Sequence, residues 1–214
     1  MMKTDVLIDR LSANLAPVRR VFPISVAYCL WIGSSLLILI SYIWWRSDFF
    51  RMIHIPVYLY ELIPAFLVLL ISAYNAIHTS IPGNRKIQYL SLAPISFLVL
   101  WMCLLLFRFF TGITSDIPTY NYHTCIRDFL LMNLPTSIGL IYIIRRRYPM
   151  SKKNIGFWIF TASATMSALG EAFLCPNEAA SHLILIHLFP VFGLSLLGIW
   201  IGNFVFHREL DSTF

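Results

Sequence analysis

Apolar residues along this chain gather into six long blocks separated by short polar ones. The blocks cover roughly residues 23–45, 56–77, 87–110, 125–144, 155–175 and 181–206. Each is near or above the about 20 residues that a helix needs to cross the hydrocarbon core of a bilayer. Helices are the expected spanning form, because backbone polar groups in hydrocarbon must be satisfied within the segment. The alternating strands of roughly ten residues that mark an outer-membrane barrel are absent. The predicted fold is therefore all-α, a polytopic membrane bundle of six transmembrane helices over residues 23–206. A cytoplasmic arm over 1–22 precedes it, and a short cytoplasmic tail over 207–214 follows. Connections are short and no internal repeat stands out, so one bundle is expected.

Within the arm the periodicity changes. Thr4 or Asp5 can cap a helix. Leu7, Leu11 and Leu15 then recur at i, i+4 and i+8 with Ile8 beside them, while Asp9, Arg10, Ser12 and Asn14 fill the other faces. This pattern predicts an amphipathic helix of about three turns that ends before Pro17. So short a helix is marginal alone in water. Its leucine stripe lies either on the membrane surface or in the groove of a protein partner.

Composition agrees with the pattern. The 214 residues are 58% hydrophobic and only 12% charged, with a mean hydropathy of +0.74, whereas a soluble domain carries about 25% charged residues. The first block is too long for a signal-peptide core, lacks an A-x-A cleavage pattern and follows Asp5 and Asp9, so it is expected to remain as an anchor. Six spans put both termini on one side. That side holds Lys3, Arg10, Arg19, Arg20, Arg85, Lys86, Arg145, Arg146, Arg147, Lys152, Lys153 and Arg208; the other holds Arg46, Arg51, Arg108 and Arg127. By the positive-inside rule both termini are cytoplasmic. The formal charge of +6 is then a topology signal, and no direct nucleic-acid partner is expected. The basic run around 145–153 reads as a stop-transfer flank that can also touch anionic lipid.

On this topology Cys125 opens span four and Cys175 closes span five, both at the outward interface. The two spans should pack as an antiparallel hairpin, which brings the thiols to similar depth. A disulfide, which needs Cα atoms about 4.4–6.8 Å apart, is then geometrically plausible. Arg127 and the nearby helix start would favour a thiolate at Cys125. A structural staple and a redox sensor share this geometry. Cys29 and Cys103 fall in mid-span and read as small core residues. His123, Glu178, His182 and His187 gather toward the same face and are weak candidates for a soft metal. No C-x-x-C or H-x-x-x-H spacing is present, so no metal or other cofactor is assigned. Glu61 and Glu171 fall within apolar blocks near the cysteine level, where snorkelling to the interface or ion coupling would account for them. Gly198 and Gly202, with Gly193 before them, suggest close helix packing in span six. Pro64, Pro94, Pro135 and Pro190 interrupt their spans.

Several of these residues together resemble the NrsF-type anti-sigma factors, six-span inner-membrane proteins of proteobacteria. The resemblance is carried by Met2-Lys3-Thr4-Asp5-Val6-Leu7-Ile8 with Leu11, by Pro17-Val18, and by Cys125-Ile126 and Pro135. The basic run with Pro149, Gly156, Gly170, Cys175-Pro176 and the glycines of span six complete it. It implies a protein that holds an extracytoplasmic-function (ECF) sigma factor at the membrane and releases it under oxidative or heavy-metal stress. Lys3, Thr4 and Asp5, with the Leu7, Ile8 and Leu11 stripe, would contact sigma, and Cys125 and Cys175 would be the periplasmic sensing pair. Members often carry a tyrosine-leucine-histidine run before the second cysteine; here it is Ala172-Phe173-Leu174. The expected location is a bacterial inner membrane, and the expected partners are an ECF-type sigma factor and the lipid bilayer; a homo-oligomer is compatible with the pattern. No enzyme activity is expected. The competing classes are a membrane thiol oxidoreductase, which would need a C-x-x-C that is absent, and a small transporter using Glu61 and Glu171.

Overall fold

The computed structural model of the protein describes residues 21–46, 59–81, 92–112, 122–147, 151–175, 177 and 179–206. Among these, every regular element is a helix. Helix α1 spans Ile24–Arg46, α2 Leu59–His78, α3 Leu92–Thr111, α4 Tyr122–Arg145 and α5 Lys152–Leu174. Helix α6, Ala180–Val205, starts as one α-helical turn, winds as a π-helix over Leu183–Leu188 and returns to α from Phe189. Among the described residues, α1 and α3 to α6 are long and apolar enough to cross a membrane, and α2 is apolar over Leu62–His78. The six apolar blocks thus correspond to six helices. The sigma-contacting candidates Lys3, Thr4, Asp5, Leu7, Ile8 and Leu11 and the tail 207–214 lie outside the described residues.

Helix α5 is the centre of the bundle. Of its spanning window 83% is buried inside the protein, against 22–39% for the other four spanning helices. It packs on α1, α2, α4 and α6. Only a thin helix can meet so many neighbours, and α5 is thin: Gly156, Ala162, Ser163, Ala164, Ser167, Ala168 and Gly170 are all buried. Its hydroxyls are satisfied chiefly within the helix, and Thr161 is also hydrogen-bonded to the Ser195 hydroxyl of α6 at 2.8 Å. Thr161, Ser163, Thr165 and Ser167 each reach back to the carbonyl four residues earlier, at 2.8, 2.9, 2.7 and 3.1 Å. Such back-bonding lets Ser and Thr sit in an apolar interior without an orphaned group.

Against α6 the backbones themselves touch. A Cβ at Gly156 would overlap the Gly198 carbonyl and lie 2.7 Å from Gly202 Cα, and one at Gly202 would lie 2.5 Å from the Lys152 carbonyl. The small-residue pair anticipated on span six is thus one half of a glycine crossing whose other half is Gly156. On the opposite flank, the indole N–H of Trp31 donates to the Thr136 carbonyl at 2.9 Å and the Tyr28 hydroxyl to the Leu70 carbonyl at 3.1 Å. These two bonds tie α1 to α4 and α2. Outward faces carry Leu37, Ile40, Trp44, Trp45, Trp200 and Phe204, all exposed, as hydrocarbon surroundings require.

Three expectations are corrected. Cys29 and Cys103 are exposed on the outer surface, because in a membrane bundle an apolar side chain gains nothing special by facing inward. Arg108, counted as an outward flank, is buried in the last turn of α3. Pro94 sits within the first three residues of α3, where the missing N–H costs little, whereas Pro64, Pro135 and Pro190 are internal to α2, α4 and α6.

Substituting Gly156 tests the crossing. Gly156→Ala should lower thermal stability in detergent by about 1–3 kcal/mol through overpacking, whereas Gly193→Ala, with open space at its Cβ, should change it little. Equal melting of the two variants would refute the crossing as a stability determinant.

Candidate functional site

Three elements converge at one end of the bundle. Cys125 lies in the first turn of α4, Cys175 immediately follows α5, and His182 closes the first turn of α6. The chain between the last two is held locally. The Cys175 N–H donates to the Glu171 carbonyl at 2.8 Å, Asn177 Oδ1 accepts from the Ala179 N–H at 3.0 Å, and the Leu183 N–H donates to the Ala179 carbonyl at 3.0 Å. These bonds fix where Cys175 and His182 point.

The two thiols are free, and their sulfurs stand 3.4 Å apart. His182 Nε2 is 3.1 Å from Cys175 Sγ and 3.7 Å from Cys125 Sγ. All three residues are buried, with 1%, 3% and 1% of Cys125, Cys175 and His182 exposed. Ile186 packs on the thiols. A disulfide bond is about 2.05 Å long, so closing the pair asks for little more than an ångström of approach. The Cys125 thiol donates to Cys175. That bond holds the Cys175 thiol well below the usual thiol range, helped by His182 and His187 and opposed by burial.

The π-helix contributes a feature that spacing alone hides. His182 and His187 are five residues apart, which on an α-helix of 3.6 residues per turn puts them about 140° apart. Through the π-helical turn, whose bonds run i→i+5, their rings come within 5.6 Å centroid to centroid in a T-shaped pair. Pro190, just beyond, has no N–H to offer a normal α-turn. The absence of an H-x-x-x-H spacing was therefore no argument against a histidine pair.

The other candidates fare differently. His123 is exposed and stands outside the cluster. Glu178 and the side chain of Glu61 lie outside the described residues. Glu171 is buried at the cysteine end of α5 and does not snorkel; the narrow α5 has no free face to lead it out. Arg127, expected to favour a thiolate at Cys125, is directed elsewhere: its Nε and Nη2 both donate to Asp128 Oδ1 at 3.0 Å. At the far end of the same hairpin, Arg147 is buried and donates to the carbonyls of Phe22, at 2.6 Å, and Pro23, at 3.3 Å. It is a structural donor at the start of α1 and not a simple stop-transfer flank. No sequence signal separates it from its neighbours Arg145 and Arg146.

A family model described as "NrsF: Negative regulator of sigma F" matches residues 11–207. The chain belongs to this family. Its description makes a sigma factor the partner and negative regulation the activity. The matched region starts at Leu11, after Lys3, Thr4, Asp5, Leu7 and Ile8. No curated protein and no solved structure gives a significant match.

The depressed Cys175 thiol predicts a pH signature. Thiolate at Cys175 should persist as pH falls through the range in which an ordinary thiol protonates. Intramolecular Cys125–Cys175 cross-linking by peroxide, in a Cys29→Ala/Cys103→Ala background, should then slow little between about pH 8 and about pH 6. In His182→Ala the rate should fall more steeply over that window than in the wild type, though less than an ordinary thiol's, because the Cys125 hydrogen bond to Cys175 remains. Superimposable pH profiles would show that His182 does not support the thiolate.

Proposed function

We propose that this NrsF-family chain is an inner-membrane anti-sigma factor with six spans and both termini in the cytoplasm. In this reading residues 1–22 sequester an ECF-type sigma factor, with Lys3, Thr4, Asp5, Leu7, Ile8 and Leu11 at the contact. The periplasmic pair Cys125 and Cys175 senses oxidative or heavy-metal stress and sets whether sigma is held. The observation that carries it is the buried pair of free thiols 3.4 Å apart, in a family of sigma regulators.

The chemistry is balanced and local. A peroxide takes two electrons and two protons from the thiols, one S–S bond forms, and two waters leave. The product is a cross-link between the first turn of α4 and the end of α5. A path to the arm exists at the other end of this hairpin. Arg147, about 33 Å from Cys125 along the helix axis, grips the carbonyls of Phe22 and Pro23, the last residue of the arm and the first after it. A shift of α4 against α5 therefore pulls directly on the arm's point of attachment. Tenfold weaker sigma binding requires only about 1.4 kcal/mol of coupling, and a disulfide supplies typically about 2–4 kcal/mol.

Co-purification with the organism's sigma factors, in detergent under reducing and oxidising conditions, tests this. One sigma factor should be captured in a redox-dependent manner, and a Thr4→Ala/Asp5→Ala variant should lose it. Cys125→Ser/Cys175→Ser should make capture insensitive to oxidant. Arg147→Gln should still form the disulfide yet lose most of the redox effect on capture. No capture in either redox state would overturn the assignment of the arm and the sensor together.

A further inference from the structure

We propose that Cys125 Sγ, Cys175 Sγ and His182 Nε2 form a three-ligand site for a soft or borderline divalent cation of the zinc and cadmium class. The inference deepens the reading above, because it uses the same thiol pair, and it adds His182 as a ligand.

The geometry carries it. Zinc bound tetrahedrally at about 2.3 Å from sulfur and about 2.0–2.1 Å from nitrogen would set its ligand atoms about 3.8 Å apart for the two sulfurs and about 3.6 Å apart for each sulfur–nitrogen edge. The observed triangle has edges of 3.4, 3.1 and 3.7 Å. Each edge is within about half an ångström of what the ion requires, so small side-chain rotations complete the site. The three ligands come from α4, the α5–α6 link and α6, and the link is fastened by the Asn177 and Glu171 bonds described above.

Charge selects the same class of ligand. A buried site tolerates charge only when it is compensated. Two thiolates and one neutral imidazole carry two negative charges, which a divalent cation cancels. The carboxylates of Glu171 and Asp128 are buried nearby and act on Cys125 electrostatically, which further favours a cation. Sulfur and imidazole nitrogen choose zinc or cadmium over magnesium or calcium, which prefer oxygen. With three protein ligands, the fourth position is left to water or another small ligand. His187, ring to ring 5.6 Å from His182, stands outside the ligand triangle. Metal binding releases the thiol protons and occupies both sulfurs, so it excludes the disulfide: a loaded pair is shielded from oxidation until the ion leaves.

The test uses the full-length reduced protein in detergent, titrated with Cd²⁺ while the thiolate-to-cadmium absorption is followed. One equivalent per chain should bind, Cys125→Ser or Cys175→Ser should abolish it, and His182→Gln should weaken it by at least about tenfold. His187→Gln should weaken it less, and Mg²⁺ should not compete. Bound Cd²⁺ should also slow peroxide cross-linking of the pair. Retained cross-linking in metal-free His182→Gln shows that its fold is intact. X-ray absorption of the zinc-loaded wild type, independent of any variant, should count two sulfurs and one imidazole. Absence of stoichiometric cadmium binding, unchanged affinity in folded His182→Gln, or a zinc shell without imidazole would each overturn the site. Sigma capture on the same preparations separates the two ideas. Redox-dependent capture without cation binding removes the metal site alone, and cation binding without any capture removes the regulatory reading alone.

Discussion

One helix has to touch four others, and the rest of this structure depends on that constraint. A helix can do so in a close-packed interior only if its side chains are small, and α5 is built of Gly, Ala, Ser and Thr through its middle. The cost of small polar side chains in hydrocarbon is met within the helix, since each hydroxyl bonds the carbonyl one turn back. The glycine crossing with α6 then brings the two backbones together near the Lys152 end. At the other end α5 emerges between α4 and α6, and that is why Cys175 meets Cys125 from one side and His182 from the other. The sulfur cluster is a consequence of where the central helix ends.

The architecture was largely legible because the bilayer writes it in bulk. Six apolar blocks became six helices. The approach of Cys125 and Cys175 was also legible, because a hairpin with a short connection must bring its open ends to one level. What escaped the pattern shares a cause. Positive-inside counting treats every arginine as a flank, yet Arg108 and Arg147 are buried and Arg147 donates two hydrogen bonds to the chain entering α1. Hydropathy treats every mid-span cysteine as inside, yet Cys29 and Cys103 face out. Composition reports which residues are apolar, and in a membrane it does not report which side they face. The thinness of α5, like the Gly198 and Gly202 pair of α6, was an inside–outside signal present in the sequence. It is the run in which small and hydroxyl residues replace Leu and Phe.

The histidines failed to show for a different reason. Helical spacing arguments assume 3.6 residues per turn, and α6 departs from it over Leu183–Leu188. A π-turn is costly in hydrogen-bond geometry and tends to persist where a site uses it. Here it brings His187 beneath His182 while Ile186 closes on the thiols. The same six residues therefore supply the apolar cover and the second imidazole of the site.

These features together favour a switch over a staple. A structural disulfide gains nothing from a neighbouring histidine, from a thiol held below its usual range, or from a buried carboxylate on the preceding turn. A thiol pair that must react gains from the first two, since thiolate is the attacking species. Oxidation would remove the negative charge from Cys175, and with it the acceptor that His182 faces at 3.1 Å. The first residue to lose a partner would thus belong to α6, the helix whose backbone is locked to α5 at Gly156. Interiors this tightly packed respond to such a loss by moving between discrete arrangements and not by gradual deformation. In the proposed switch, a change of little more than an ångström at the sulfurs would be passed in this way to the Arg147 end of the α4–α5 hairpin, where the chain leaves for the arm.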